Sequence, residues 1–396
     1  MSRHDFQIPV SFKHRVCFTR EAFATGNALL ADLLSEGGGR RVLVLVEEAV
    51  AEAWPELSKQ VEGYFADLGF DWRGLTVLPG GEEVKVDDAL VNRVWEIIDR
   101  QHIDRHSYVI TIGGGAFLDA TGYAVATAHR GVRLVRFPTT TLSQDDSGVG
   151  VKCAINGFGK KNWIGAFAVP YAVVNDFEFL QSQDETTCRD GLIEAVKVSL
   201  VKDGEFFSWI QSKVEDLAVL ERDALEECVQ RSALAHATHI AQGGDPFETG
   251  SSRPLDFGHW SAHKLEQLSG FSVSHAQAVS IGLALDTLYS ARCGLLRECD
   301  AERVMDVLDG LGMPIWHDDM DRKDDSGRRV IHEGLEEFRE HLGGELTVLL
   351  LRELGRGQDV HHLDEGLVDA CLDDLKRRHR IRHAEDGEEV GSAGAS

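Results

Sequence analysis

The stretch Tyr108-Val-Ile-Thr-Ile-Gly-Gly-Gly115 decides how the first half of the chain folds. Its first five residues are β-branched or aromatic, which predicts a buried strand, and the three glycines then turn the chain. The small-residue helix expected after the turn would begin with backbone N–H groups that can hold a phosphate. The pattern is not G-x-G-x-x-G, so an ordinary tight turn is the other interpretation.

Similar strands lie on both sides of this one. Apolar runs predict strands at 41–46, 75–78 and 132–137, and helical spacing predicts helices at 51–68 and 87–100. Strands that alternate with helices favour a parallel sheet covered on both faces. We therefore expect an α/β, Rossmann-like domain over residues 1–180.

The second half of the chain has a different texture. Helical patterns dominate it, at 187–201, 224–240, 260–268, 276–295 and 301–311. Only the run 346–351 predicts a strand there. These patterns favour a mainly α-helical domain over residues 181–376. The remaining residues, 377–396, are basic, then acidic and Gly/Ser-rich, which predicts a disordered tail.

Composition limits the partners of the chain. Its 396 residues carry a formal net charge of −25, which repels nucleic acid and anionic membranes, so we expect neither as a partner. A salty cytoplasm would also explain this charge. No apolar run reaches the roughly 18 to 20 residues of a membrane span, and the first residues lack the apolar core of a signal peptide. The seven cysteines include no CxxC pair, which favours reduced thiols and a cytoplasmic location.

Three histidines have a spacing that core packing explains poorly. His259 and His263 are four residues apart and share one face of a predicted helix, and His275 opens the next apolar run. Upstream, Glu194 lies in another helical pattern. One Glu and two His with an open position suit a catalytic zinc. Four-apart pairs also arise by chance in a chain with 17 histidines, so a structural role is the alternative.

Polar residues gather at the predicted strand ends. Glu47 ends the first strong strand, where an acid can bind a ribose hydroxyl, and Glu82 and Lys85 lie in a second polar turn. The loop 138–152 is rich in hydroxyls, glycine and carboxylates, and the lysine pair 160–161 follows it. Lysines near a nucleotide turn suit a phosphate, although a solvated loop has the same composition.

In this order the pieces resemble the 3-dehydroquinate synthase-like sugar phosphate cyclases. The family blocks that recur here are Gly113 to Asp119, Arg130-Gly131, Pro138 to Lys152, Lys161-Asn162 with Gly165, Glu194 with Lys197, Phe257 to His263, and His275. The resemblance spans residues 40 to 355, approximately. It implies an NAD-binding Rossmann-like domain followed by a helical metal and substrate domain.

The resemblance also implies a role for individual residues. The metal ligands would be Glu194, His259 and His275, with zinc, or cobalt in its place. The NAD site would consist of Glu47, Glu82, Lys85, Gly114, Gly115, Asp119, Thr139, Thr140, Lys152, Lys161 and Ser182. The catalytic and substrate-contacting residues would be Asp146, Lys152, Lys161, Asn162, Lys197 and His263. Arg130 would reach the phosphate in the neighbouring subunit of a homodimer.

The implied reaction acts on a phosphorylated sugar. NAD oxidises a hydroxyl, phosphate leaves, the hydride returns, and the exposed carbonyl is attacked within the molecule to close a carbocycle. The metal would ease loss of the hydroxyl proton, and lysines would hold the phosphate.

Several positions depart from authentic 3-dehydroquinate synthases. Asp256 replaces an Asn, Thr238 replaces a Lys, and Ser252 stands where an Arg is expected, with Arg253 displaced by one. The late D-K-K element is replaced by the stretch 340–344, which contains His341. These changes remove positive charge around the substrate's anionic end. They favour a seven-carbon ketose phosphate without a carboxylate, such as sedoheptulose 7-phosphate.

The segments Asp245 to Glu248 and Gly250 to Trp260 are similar to the EboD branch of the superfamily, which suggests secondary metabolism. Three alternatives stay open. The first is an authentic 3-dehydroquinate synthase of the shikimate pathway, and the second is an NAD- and metal-dependent polyol dehydrogenase. The third is a non-catalytic ligand-binding protein of the same fold.

Overall fold

The structure is a computed structural model that describes residues 2–392 except 159, 246, 248–253 and 342–343. The chain divides into two compact units. The first unit takes the described residues of 1–183 and 237–247, and the second takes those of 184–236 and 248–396. The change from alternating strand and helix patterns to mainly helical patterns had predicted a boundary after residue 180.

A six-stranded parallel sheet forms the centre of the first unit. In chain order its strands are β1 (Val16–Thr19), β2 (Arg41–Glu47), β3 (Asp71–Leu78), β4 (Tyr108–Gly113) and β5 (Arg133–Pro138), with β8 (Ala172–Asp176). They are arranged as β1-β8-β5-β4-β2-β3. Because β2 pairs with β3 on one side and β4 on the other, the strand order reverses beside β2. Ligands of open parallel sheets bind at such a reversal.

Both faces of this sheet are buried, which explains the continuous apolar runs. Val42, Val44 and Val46 pack into one core, whereas Leu43 and Leu45 pack into a second core on the opposite face. The α/β fold expected for this half is confirmed.

In the described residues of the first unit, five helices that lie entirely within it flank the strands. They are α1 (Leu29–Glu36), α2 (Glu48–Ala53), α3 (Leu57–Asp67), α4 (Ala89–Arg100) and α5 (Gly115–Thr127). The single helix predicted over 51–68 is wrong, because the chain leaves helical geometry at Trp54, just before Pro55. Proline disfavours helical geometry in the residue before it and cannot donate a backbone hydrogen bond.

The sequence also did not predict a β-hairpin in the first unit. Strands β6 (Lys152–Gly157) and β7 (Lys160–Phe167) pair antiparallel outside the main sheet. The hairpin carries the predicted substrate residues Lys152, Lys161 and Asn162 into one small structure.

The second unit is mainly helical, as expected. Its helices are α6 (Glu185–Lys202), α7 (Gly204–Ser212), α8 (Val214–Ala218), α9 (Arg222–Gln242), α10 (His259–Leu268), α11 (His275–Arg292), α12 (Glu298–Gly310), α13 (Glu333–His341) and α14 (Glu365–Ser392). The last six residues of α9 belong to the first unit. An antiparallel pair, β9 (Val348–Glu353) and β10 (Arg356–Val360), completes the fold.

The tail differs from the expectation of disorder from residue 377. Helix α14 continues to Ser392, and residues 393–396 lie outside the described residues. Two basic side chains fix the first part of this stretch, since Arg378 pairs with Glu302 and Arg382 pairs with Asp309. Composition does not reveal such partners on α12. None of the helices in the described part of the chain combines the length and apolar character of a membrane span.

Candidate functional site

The three histidines singled out by spacing converge in the second unit. His259 is the first residue of α10, His263 lies one turn later, and His275 is the first residue of α11. The ring centroid of His259 lies 5.4 Å from that of His263 and 5.4 Å from that of His275.

Local sequence explains why both helices begin at a histidine. Gly258 precedes α10 with a φ of 78°, and a Cβ there would lie 2.8 Å from the backbone nitrogen of Leu283. Only glycine suits that position. Ser274 precedes α11 and forms a capping box with Gln277.

A buried carboxylate on α11 fixes the start of α10. Asp286 accepts hydrogen bonds from the Gly258 N–H at 3.0 Å and from the Trp260 indole N–H at 2.8 Å. These two donors flank His259 in sequence. Burial raises the pKa of the Asp286 carboxyl to about 7, against the lowering effect of the two hydrogen bonds.

Helix α6 supplies the carboxylate of the cluster. Glu194 is 2% exposed and forms an ion pair with Lys197, one turn along the same helix and also buried. Glu194, His259 and His275 each offer a ligand atom within 4.8 Å of the others. Two imidazole nitrogens and one carboxylate oxygen at such spacing fit a zinc-type ion with an open position. The structure therefore brings the three predicted donors close together.

Hydrogen bonds fix which nitrogen of two histidines faces the cluster. His259 Nδ1 lies 3.1 Å from the carbonyl oxygen of Phe257, which only accepts, so Nδ1 carries the proton. His275 Nδ1 lies 3.3 Å from a carboxylate oxygen of Glu266. In both imidazoles Nε2 then carries the lone pair and is the ligand atom.

The two imidazoles differ in basicity. Burial, followed by the positive charge of Lys197, holds the pKa of His259 well below its usual value, which keeps the ring neutral for a metal. Burial also lowers the pKa of His275, but the hydrogen bond that its Nδ1–H donates to Glu266 and the charge of Glu194 outweigh that effect and raise the pKa overall.

In the first unit, Glu47 ties two glycine turns together. Its carboxylate accepts the Gly81 N–H at 3.0 Å and the Gly114 N–H at 2.6 Å. A Cβ on Gly80 or Gly113 would collide with this side chain. Glu47 therefore holds the backbone amide at the head of α5 that the sequence offered to a phosphate.

A second polar network joins residues from three elements. Lys85 Nζ lies 2.6 Å from a carboxylate oxygen of Asp119 and 2.5 Å from the side-chain oxygen of Asn162. Asn162 has a left-handed backbone with a φ of 53°. The sequence assigned Lys85 and Asp119 to a cofactor and Asn162 to a substrate, and the fold brings the three together.

The carboxyl ends of β4 and β5 form one edge. Gly113 pairs with Pro138, and the Thr139 N–H bonds to the Gly113 carbonyl at 3.1 Å. Thr140 follows, and Ser143–Ser147 is a π-helical turn that contains Asp146. Such turns often occur at functional sites.

The other predicted residues lie at element ends of the first unit. Glu82 and Lys85 belong to a short 3₁₀ helix after β3, and Ser182 ends another after β8. Arg130 follows α5 in a turn with a positive φ at residues 129, 130 and 131, and its side chain is exposed. Lys152 and Lys161 lie exposed on the hairpin.

Two family models match this chain. The 3-dehydroquinate synthase N-terminal model matches residues 75–190, and the C-terminal model matches residues 191–327. The 3-dehydroquinate synthase of Methylococcus capsulatus is 32% identical over 85% of this chain and 90% of its own length. That of Azotobacter vinelandii is 34% identical over 85% of this chain and 88% of its own.

The chain belongs to the 3-dehydroquinate synthase family.

Solved structures agree with this assignment. A 2-epi-5-epi-valiolone synthase from Streptomyces hygroscopicus subsp. jinggangensis, with NAD+ and Zn2+ bound, has a TM-score of 0.82 and 26% identity. The match covers 95% of this chain and all of that one. A 2-deoxy-scyllo-inosose synthase complexed with carbaglucose-6-phosphate, NAD+ and Co2+ shares the fold with a TM-score of 0.72 at 18% identity, over 90% of this chain and 96% of its own.

Sequence reasoning missed a buried arginine that holds the loop between β5 and the hairpin. Arg136, on β5, is 1% exposed and donates to the carbonyl oxygens of Gly148, Gly150 and Lys152. It fixes the loop that leads into the hairpin. An arginine inside an apolar strand run was the available signal, because a buried cation must find acceptors.

Proposed function

We propose that this member of the family is a zinc- and NAD-dependent sugar phosphate cyclase. In this proposal it eliminates phosphate from a seven-carbon ketose phosphate and forms a carbocycle. The observation that carries the proposal is the convergence of Glu194, His259 and His275, with Lys197 against the carboxylate. A polar cluster of this kind has no structural use that would repay its burial.

The two cofactors are assigned by the chemistry of the donors. Glu194, His259 and His275 would hold zinc, or cobalt, and the Gly114–Gly115 turn with Thr139, Thr140 and Asp119 would hold NAD. When bound, NAD supplies reversible hydride transfer and the metal supplies Lewis acidity. The Gly114 N–H already donates a hydrogen bond to Glu47. A phosphate of NAD would therefore have to bind the other amides of this turn or displace the Glu47 carboxylate.

The chain's own cations would steer the leaving phosphate. Lys197 is buried beside the ligand cluster, whereas Lys152 and Lys161 are exposed on the hairpin of the first unit. By its place in the family motif, each lysine is assigned to stabilise the negative charge that grows on a departing phosphate. Asp146, Asn162 and His263 are assigned to substrate contacts by their place in the family motif.

The substrate is assigned by charge. Asp256 lies three residues before His259 in a short 3₁₀ helix, and a carboxylate there would repel a carboxylate on the substrate. Thr238 lies exposed on α9, where the family expects a lysine. Ser252 and Arg253 lie outside the described residues, and His341 is the last residue of α13. We therefore assign a ketose phosphate without a carboxylate, such as sedoheptulose 7-phosphate, and a role in secondary metabolism.

An authentic 3-dehydroquinate synthase is the second candidate. It is favoured by the curated relatives of that name, which are 32% and 34% identical to this chain over most of their length. The valiolone synthase supports the first candidate, at a lower identity of 26%. Sequence identity over the whole chain reflects the shared fold. The choice of substrate depends instead on a few charged residues of the site.

We also propose that the chain forms a homodimer. The hairpin exposes Trp163 and Phe167 by more than half, and the N-terminal residues before β1 expose Phe6 and Ile8 by more than four-fifths. Exposed apolar side chains of this size mark association surfaces. In the proposed dimer, Arg130 would reach the phosphate bound by the partner.

The test is turnover with sedoheptulose 7-phosphate, zinc and a catalytic amount of NAD. We expect one phosphate released per substrate, a carbocycle by mass analysis and no net NADH. A polyol dehydrogenase would instead accumulate NADH in proportion to substrate. A non-catalytic protein of the same fold would give neither product, and that result would reject the proposal.

A further inference from the structure

Glu266 is a buried carboxylate beside the ligand cluster that no assigned role uses. It lies seven residues after His259 on α10, so two helical turns place both on one face. Its side chain is 7% exposed, and one carboxylate oxygen lies 3.3 Å from Nδ1 of His275. A carboxylate this buried is costly unless a partner compensates it.

The same geometry recurs at the neighbouring ligand. His259 presents Nδ1 to the Phe257 carbonyl at 3.1 Å, and His275 presents Nδ1 to Glu266 at 3.3 Å. Each imidazole is thus held by an oxygen on the side away from its ligand nitrogen. For His275 that oxygen carries a charge, which makes the hydrogen bond stronger and the opposite nitrogen more basic.

We propose that Glu266 is a positioning residue that orients His275 and fixes its tautomer, so that Nε2 binds the metal. The inference rests on the proposed metal site. Glu266 does not itself contact the ion or the substrate.

The competing role for Glu266 is that of a metal ligand. His263, Glu266 and His275 also offer ligand atoms within 4.8 Å of one another. Two ions would have to share His275 through both ring nitrogens, which requires the loss of its Nδ1 proton. The hydrogen bond to Glu266 keeps that proton in place, and His263 is exposed. The geometry therefore favours one ion and an orienting carboxylate.

The experiment measures zinc affinity by chelator competition, and zinc content by mass spectrometry, for the full chain and for Glu266→Ala and Glu266→Asp. We expect Glu266→Ala to bind zinc about 10- to 100-fold more weakly. Glu266→Asp should restore part of this loss, because it keeps the charge. The control Gln267→Ala removes the exposed neighbouring side chain and should bind zinc like the parent.

Unchanged zinc affinity in Glu266→Ala would overturn the inference. Two zinc ions in the parent and one in Glu266→Ala would also overturn it, by making Glu266 a ligand. Failure of the parent chain to bind zinc would instead refute the proposed metal site, so the two failures are distinguishable.

A second measurement avoids variants of Glu266. Nitrogen-15 NMR of the histidine-labelled zinc form should show His275 protonated at Nδ1 and coordinated through Nε2. Coordination through Nδ1 would contradict the inference even if Glu266→Ala failed to fold.

Discussion

The two units organise their candidate functional residues in opposite ways. In the first unit, Glu47 is bonded to backbone amides, and Lys85 is bonded to Asp119 and Asn162. A cofactor there would exchange protein hydrogen bonds for its own. In the second unit, ligand atoms of His259 and its two partners already converge within 4.8 Å. Such preorganisation lowers the cost of binding. Substitutions of the ligands in the second unit should therefore abolish metal binding. Substitutions in the first unit should only weaken cofactor binding, because they change the balance between hydrogen bonds within the protein and hydrogen bonds to the cofactor.

The largest effect is expected at the metal ligands. His259→Ala should lose zinc and lower kcat by roughly a thousandfold or more, because the Lewis acid contributes several kcal/mol. His263→Ala is the matched control from the same helix, since it should lose activity but keep zinc. Zinc content and turnover are measured on the same preparations. Full zinc and turnover in His259→Ala would show that the ligand set is wrong.

The next effect concerns stability and pH in the second unit. Burial raises the pKa of the Asp286 carboxyl in the folded chain to about 7 from its ordinary value of 3.8, so the folded chain holds an extra proton between these values. Its contribution to stability is complete below pH 3.8 and is lost as the pH rises through 7. The full shift corresponds to about 4 kcal/mol.

Denaturant unfolding between pH 5 and 8, with zinc removed by a chelator, measures this loss. Asp286→Asn should flatten the pH dependence of the unfolding free energy, although it also weakens one of the two hydrogen bonds. Thr287→Val, a buried neighbour that does not titrate, should leave the slope unchanged. Parallel slopes for the parent and Asp286→Asn would contradict the raised pKa.

A smaller effect is expected in the first unit. Lys85→Met removes the cation that pairs with Asp119 and the donor that bonds the side-chain oxygen of Asn162. We expect weaker NAD binding and a roughly 100-fold lower kcat/KM. This loss is smaller than the one expected for His259→Ala, because other contacts to the cofactor can replace the lost one. Lys59→Met, on the exposed side of α3, is the control. Calorimetric titration with NAD checks the binding. Unchanged binding and turnover would exclude the network from the site.

The fold was predictable wherever local pattern and tertiary burial agree. The runs at 41–46 and 108–112 are buried on both faces and form β2 and β4 as expected. Strand β1 was not predicted, because its partner β8 lies 157 residues away, as in the pair Val16 and Val173, and its four residues carry no clear pattern.

In the candidate site, too, local sequence patterns predicted some residues, whereas residues with partners on other elements were missed. Four-residue spacing on one helix indicated His259 and His263 directly, since the helix itself brings them together. Asp286 and Glu266 could not be found in this way, because their partners lie on other helices and only the packing of α10 on α11 joins them. The role of Glu47 was interpreted from its strand-end position alone, whereas the structure bonds it to two glycine amides.

The most direct test of the account is phosphate release from two substrates under the same conditions, one a neutral seven-carbon ketose phosphate and the other the acidic heptulosonate phosphate. We predict that sedoheptulose 7-phosphate is converted at a kcat/KM on the order of 100-fold higher, because lost cations around a buried carboxylate cost a few kcal/mol. Asp256→Asn should narrow that ratio by favouring the acid. Efficient conversion of the acidic substrate to dehydroquinate by the parent chain would contradict the account and assign the protein to the shikimate pathway.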